Sequence, residues 1–370
     1  MTFPRVDPIP LPAPVWLFKL LEMLTVTLHF LAVQLLVGGL VIGTVWAFWA
    51  RWTKRPAVAD SAGVIAHRLP ILMTYVINLG VPPLLFAQVL YGRAIYTSSI
   101  LIGTWWISVI FLLLAGYSLI YVMASRAKRG KGWGIVGLVA LLIVAKIAFI
   151  YSSNMTLMIR PEVWVQMYQK DALGLHLNRG DPTVLPRWVF MFLGGLTAGG
   201  VGLMFLGLKR ALRAQTTEFL RRWGARLAAA GIVAQAGVAC WVISVQPSGL
   251  RIALGQNTVY LVCTLSWLGL GAALAVVSFL GQAKAESSDW RWPAAAGGLL
   301  FLEIAVMAVI RGGIRDLTLT ARGFDVWDRH VAANWVVVSA FFVIFVIGLA
   351  AVVWLGSVVA RAEVREEKYA

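Results

Sequence analysis

Residues 24–50 and 94–125 contain no Asp, Glu, Lys or Arg. About 20 apolar residues at a helical rise of about 1.5 Å cross the hydrocarbon of a bilayer. Each of these runs is at least that long, and neither alternates between apolar and polar residues. In lipid every backbone N–H and C=O needs an internal partner, so the structures left open are helices and closed barrels. Unbroken runs of this length select helices. The rest of the chain agrees, with 60% hydrophobic and only 13% charged residues. A soluble domain carries about 25% charged residues. The expectation is an all-α polytopic membrane bundle of about nine transmembrane helices.

The spans read as roughly 16–49, 68–92, 98–124, 133–153, 185–208, 224–245, 257–281, 292–311 and 331–359. The first is too long for one straight crossing, so residues 15–22 are read as lying in the interface. Residues 1–15 form an N-terminal arm, 154–184 and 312–330 form outer loops, and 1–370 is one membrane domain with no repeat. The arm is proline-rich without a basic leading segment, so no cleavable leader is expected.

Loop charges set the orientation. Arg51, Lys54 and Arg55 follow the first span, and Arg126, Lys128, Arg129 and Lys131 the third. Lys209, Arg210, Arg213, Arg221 and Arg222 follow the fifth, and Arg361 and Arg365 the ninth. The loops after the second and sixth carry only Arg93 and Arg251. The positive-inside rule then puts the N-terminus outside and the C-terminus in the cytoplasm. The net charge of +16 is explained by these loops, so no nucleic-acid partner is implied. Cys240 and Cys263 read as small buried hydrophobes. No Cys-x-x-Cys-His occurs, which excludes covalent c-type haem.

Ionisable groups at membrane depth each ask for a reason. His29 is one: it is either a haem or metal ligand through a neutral imidazole, or a group hydrogen-bonded to a neighbouring helix. Glu303 can ligate iron, relay protons or pair with a cation, and Met307 lies one turn further on the same face. Lys146 is central in the fourth span, where pairing with Glu303, with a haem propionate or in a structural ion pair would lower its cost. Asn78, Gln88 and Gln235 are explained by interhelical hydrogen bonds. Pro82 and Pro83 break the second helix. His67, His176 and His330 read as solvated or interfacial.

Several segments together resemble subunit I of the cytochrome bd family of terminal oxidases. Leu24, Thr25, His29, Phe30, Leu31 and Val33 resemble the family's first helix, whose histidine ligates haem. Residues 75–81 (Tyr-Val-Ile-Asn-Leu-Gly-Val) and 88–92 (Gln-Val-Leu-Tyr-Gly) resemble its second. Residues 150–161 are similar to the end of its fourth helix, and residues 186–199 to its fifth. Glu303 or Met307 falls near its haem-ligating glutamate.

The departures are specific. The haem-ligating histidine of the family's fifth helix is matched by Phe190, and the arginine and methionine of its seventh by Tyr260 and Val262. Its third-helix carboxylates have no counterpart in residues 98–125, and its quinol loop is reduced to a short segment at 246–251.

What the resemblance implies is a membrane electron-transfer protein of a respiratory chain in a bacterial inner membrane, carrying haem b with His29 as ligand. Glu303 or Met307 would be a further ligand, and Lys146 would compensate charge. It also implies a second membrane subunit and, as electron partner, a periplasmic c-type cytochrome or quinol. An active quinol:oxygen oxidoreductase, a haem-free anchor or docking subunit, and a transporter built on the broken second helix are the competing expectations.

Overall fold

The computed structural model describes residues 3–4, 10–209, 211–283 and 289–369, without the side chains of 352, 356 and 359–369. Arg210 and most of the N-terminal arm lie outside the described residues, as do the side chains of Arg361 and Arg365. The order is α1 (Val15–Thr53), α2 (Pro56–Leu101), α3 (Gly103–Lys128), α4 (Gly134–Leu157), a 3₁₀ turn at Pro161–Val163, α5 (Trp164–Lys170), α6 (Val184–Leu206), α7 (Ala214–Ser244), α8 (Ser248–Gln256), α9 (Thr258–Ala283), α10 (Arg291–Thr320) and α11 (Trp335–Tyr369). Among the described residues, nine of these helices are long and apolar enough to span a membrane. The pairing of Leu11 with Val331 is an isolated bridge.

Local chemistry places the helix ends. Lys54 takes a left-handed conformation (φ 52°) and closes α1, and Pro56 opens α2 at a position where its missing N–H costs nothing. The side-chain oxygens of Asn257 and Asn334 accept from Val259 and Val337, capping α9 and α11. Basic side chains cluster at one end of the bundle, in the α1–α2, α3–α4 and α6–α7 connections.

α1 is central, packing against α2, α4, α6 and α10. One flank is α1 to α4. The other is α6, α7, α9 and α10, and the α1–α6 contact joins them. At that joint the backbones touch: a methyl group on Gly38 would lie 1.9 Å from the Gly195 carbonyl oxygen. Small residues let helices approach this closely where lipid supplies no hydrophobic drive. α11 reaches the bundle through Val338, which packs with Leu17 and Leu21 of α1, and most of its length is uncovered.

Four details differ from the sequence expectations. α2 runs unbroken through Pro82 and Pro83, and its irregular residue is Tyr91 (φ −123°, ψ 21°). Helix packing in a bundle satisfies the carbonyls that proline frees. α10 extends through Thr320, so the first part of 312–330 is helix. Residues 15–22 are the start of α1 itself, with Lys19 and Glu22 buried. Cys240 is exposed on α7 rather than buried.

Candidate functional site

At the end of the bundle away from the basic loops, four helices bring ionisable side chains together. Lys19 of α1 donates to the Tyr91 hydroxyl of α2 at 2.6 Å and pairs with Asp316 of α10. Tyr91 donates to the other Asp316 oxygen at 2.6 Å. Arg315 donates to Glu22 of α1 at 2.6 Å and lays its guanidinium 3.9 Å from the Tyr91 ring centroid. Each of these charges is buried with a partner, the condition under which buried ions persist.

Two further arginines make no hydrogen-bonded ion pair among those described, although the Asp181 carboxylate acts on one of them, Arg187, through its charge. Arg187, at the start of α6, has Nε and Nη2 sealed inside the protein with no hydrogen bond. Arg311 of α10 lies over the Phe30 ring at 5.4 Å and makes no ion pair among those described. Both sit deep in the bundle and feel each other's charge, yet both keep part of their surface uncovered. Around these helices stand four cations (Lys19, Arg187, Arg311, Arg315) and three carboxylates (Glu22, Asp316 and, acting on Arg187, Asp181). Unpaired guanidinium donors in a low-dielectric interior are costly, so the arrangement is complementary to an anion that the protein does not itself supply.

His29 lies one layer deeper, within reach of the Arg311 charge. Its ring rests on α2: a methyl group at Gly80 would come within 2.9 Å of Cε1 and 3.2 Å of Nδ1. Nδ1 is sealed beside the Val76 carbonyl, without a hydrogen bond of regular geometry. Nε2 is not sealed in this way. A ring held through Nδ1 against a backbone carbonyl presents Nε2 as its basic nitrogen.

Glu303 is elsewhere. It is buried in α10 beside the Trp267 indole of α9, and its Oε1 has no partner. Met307 lies in the apolar cluster that includes Phe30, Leu31 and Leu35 of α1 and Phe190 of α6. His29 is thus turned toward α2 while Glu303 is turned toward α9, so the structure does not present them as a joint pair. Among the described residues no three His, Cys, Asp or Glu side chains converge to hold a metal ion. Iron at His29 would need a macrocycle to complete its coordination.

Lys146 does not meet Glu303. Its ammonium stands 3.7 Å above the Trp105 ring of α3, an aromatic contact that offsets the cost of a charge in the bundle. Asn78 bonds to Thr74 of its own helix rather than across helices. Gln235 lies at the edge of hydrogen-bond reach of Thr197 on α6, at 3.5 Å.

Sequence reasoning missed Lys19, Glu22, Tyr91, Arg187, Arg311, Arg315 and Asp316. The available signal was Arg311 and Arg315 one turn apart on an apolar run, with Asp316 next to them.

The segment between α4 and α6 closes this end. The Trp105 indole donates to the Leu175 carbonyl at 2.6 Å, and Asp171 accepts from the Leu173, Leu175 and His176 amides and meets the His176 ring at 2.8 Å. The bond to His176 holds the Asp171 carboxyl below its ordinary range. Burial pushes Glu162 up, but its bonds to Arg322 and Arg160 outweigh that and leave it lowered.

No family model matches the chain, and no curated protein sequence matches it significantly. The fold is similar to that of a solved structure, the bd oxidase from Geobacillus thermodenitrificans, with a TM-score of 0.67 and 12% identity. The likeness covers 93% of this chain and 98% of that one.

Proposed function

We propose that this chain is a haem b-containing electron-transfer protein of a respiratory membrane, related to subunit I of the bd oxidases. The observation that carries the reading is the conjunction of His29, its Nδ1 seated against α2 at Gly80, with the unpartnered guanidinium of Arg187 and with Arg311. A haem requires a basic nitrogen, an apolar wall and partners for two carboxylates. His29, the Phe30, Phe190 and Met307 surfaces, and the two arginines match those requirements. In this reading His29 would hold the haem iron, Arg187 and Arg311 would hold its propionates, and the haem would supply one-electron chemistry when bound. Val76 and Gly80 orient the imidazole, and Glu22, which holds Arg315, also offsets the Arg311 charge. Glu303, buried and half-unpaired, remains a candidate for a further ligand or a proton carrier.

The reading places the basic loops in the cytoplasm, the arginine cluster in the outer half of the membrane and the donor or acceptor on the outer face. A second membrane subunit or lipid covers α11.

A haem-free docking subunit is the second reading. Two contacts favour it: Phe190 faces Trp267 with ring centroids 5.9 Å apart, and Tyr260 lies so close to α10 that a methyl group on Gly313 would meet its ring at 2.3 Å. Phe190 stands where the resemblance calls for a histidine ligand of another haem, and Tyr260 where it calls for an arginine. A reduced-minus-oxidised spectrum of protein expressed with ample haem separates the readings. A b-type spectrum weakened by His29→Ala supports the first, and a colourless preparation supports the second.

A further inference from the structure

At the opposite end of the bundle, where the basic loops lie, a cavity of about 380 Å³ opens between the end of α1, the start of α2 and the start of α7. That is the lower end of the range for small-molecule sites, of order 300–1,000 Å³. Its walls divide by chemistry. Arg55, Arg222 and Arg226 supply positive charge. Trp49, Phe219 and Trp223 form a continuous aromatic wall, with centroids 5.9 Å apart for Trp49–Phe219, 5.6 Å for Trp49–Trp223 and 6.0 Å for Phe219–Trp223.

Arg222 is tied to Glu218 at 2.7 Å, which leaves Arg55 and Arg226 as the cations without an acidic partner among the described residues. Arg226 stands 5.5 Å from the Trp223 ring centroid. That contact aligns its guanidinium with the aromatic wall without neutralising it.

We propose that this cavity binds the phosphate headgroup of an anionic phospholipid. The three arginines and one glutamate leave a net charge of +2 on the walls, suited to a phosphodiester. Trp49 and Trp223 belong to spans that cross the membrane, so the aromatic wall lies at the depth where tryptophan favours the interface. A ligand with a charged head and apolar chains satisfies both walls at once. A free phosphate satisfies only the arginines, and a zwitterionic lipid brings its own cation to them. Basic pockets between helices at a membrane surface recognise anionic headgroups in this way. The site is separate from the His29 region and does not depend on haem.

The test uses full-length protein in a neutral detergent, stripped of co-purified lipid. It is titrated with short-chain phosphatidylglycerol, with phosphatidylcholine of the same chains, and with inorganic phosphate, reading the thermal unfolding midpoint. Phosphatidylglycerol is expected to raise the midpoint saturably, with little response to the other two. The double variant Arg55→Gln/Arg226→Gln is expected to need about thirtyfold more phosphatidylglycerol for half the effect. Glu218→Gln removes the opposing carboxylate and is expected to need less than the unaltered protein, a gain that misfolding does not produce. Equal responses to the two lipids, or a double variant that responds like the parent, overturn the proposal. A phosphate response equal to that of the lipid reveals a free-anion site and overturns it too. Should the double variant fail to fold, Glu218→Gln decides alone, and an unchanged or weaker response overturns the proposal.

Discussion

Arg315 lies flat against Tyr91, its guanidinium carbon 3.9 Å from the ring centroid, while the Tyr91 hydroxyl and the Lys19 ammonium share Asp316. The aromatic face and the Glu22 carboxylate together hold one cation in a fixed plane. The neighbouring Arg311 feels the Glu22 charge but makes no ion pair with it among those described, so the cluster keeps an excess of positive charge.

Removing one member of a buried pair strands the other. Arg315→Leu leaves Glu22 charged in the bundle and is expected to lower stability by about 3–5 kcal/mol. The double variant Glu22→Gln/Arg315→Leu is expected to recover a large part of that loss. Denaturation of detergent-solubilised protein, followed by circular dichroism, measures both. If the double variant were no more stable than the single one, the pair would not be the reason for the cost.

Gly80→Val addresses the seat of His29 without touching the histidine. Its first added carbon would stand 2.9 Å from Cε1, so the ring must turn away from α2. The expected outcome is loss of half or more of any b-type absorbance, with the helical content unchanged. Full absorbance in this variant would show that the imidazole needs no support from α2.

Arg187→Gln and Arg311→Gln test the anion demand. Each is expected to weaken haem retention during purification, and the pair of changes more so. Because Arg187 carries unpaired buried donors, a glutamine there is also expected to leave unliganded protein as stable as the parent or more stable. Haem content by alkaline pyridine spectra, set beside unfolding midpoints, separates the two effects.

At the α1–α6 joint, Gly38→Ala forces two backbones apart. With 1.9 Å between the new carbon and the Gly195 oxygen, the expected cost is about 3 kcal/mol or more. The readout is the unfolding midpoint. Gly63→Ala, where a methyl group would meet nothing within 4 Å, is the control expected to stay near the parent.

The pH response of the α4–α6 segment follows from Asp171. A carboxyl held below its ordinary value stabilises the fold at pH above that value, and the contribution is lost as pH falls through the lowered one. Protease resistance of 158–183 is therefore expected to be constant at neutral pH and to drop in acid. Asp171→Asn is expected to remove that acid-dependent step. An acid step of unchanged size in the variant would assign it to another group, with Glu162 next to be examined.

The nine spans were legible because long uncharged runs admit so few alternatives. His29 was legible for the same reason, as one ionisable group set in an apolar run. The rest of the site was hidden by two boundary choices. Lys19 and Glu22 fall in 15–22, taken as interfacial because the first run is too long for one straight crossing. Arg315 and Asp316 fall in 312–330, taken as loop because charge ends an apolar run. Hydropathy alone does not show that these charges are compensated across the bundle, since their partners lie hundreds of positions away. Of the alternatives open to Lys146, pairing with Glu303 is one that the structure does not show. Opposite charges invite pairing on paper, but α3 offered Lys146 a nearer aromatic face.

The reach of the Glu22–Arg315 bond carries a consequence for biosynthesis. Its two ends are separated by 293 positions in the chain, so the ribosome has made nearly the whole protein before Glu22 can find its counterion. Until α10 inserts, Glu22 has only Lys19, three residues away on the same helix, to offset its charge. Maturation of this end of the bundle is therefore a late event. Any prosthetic group seated there enters a chain that is all but finished.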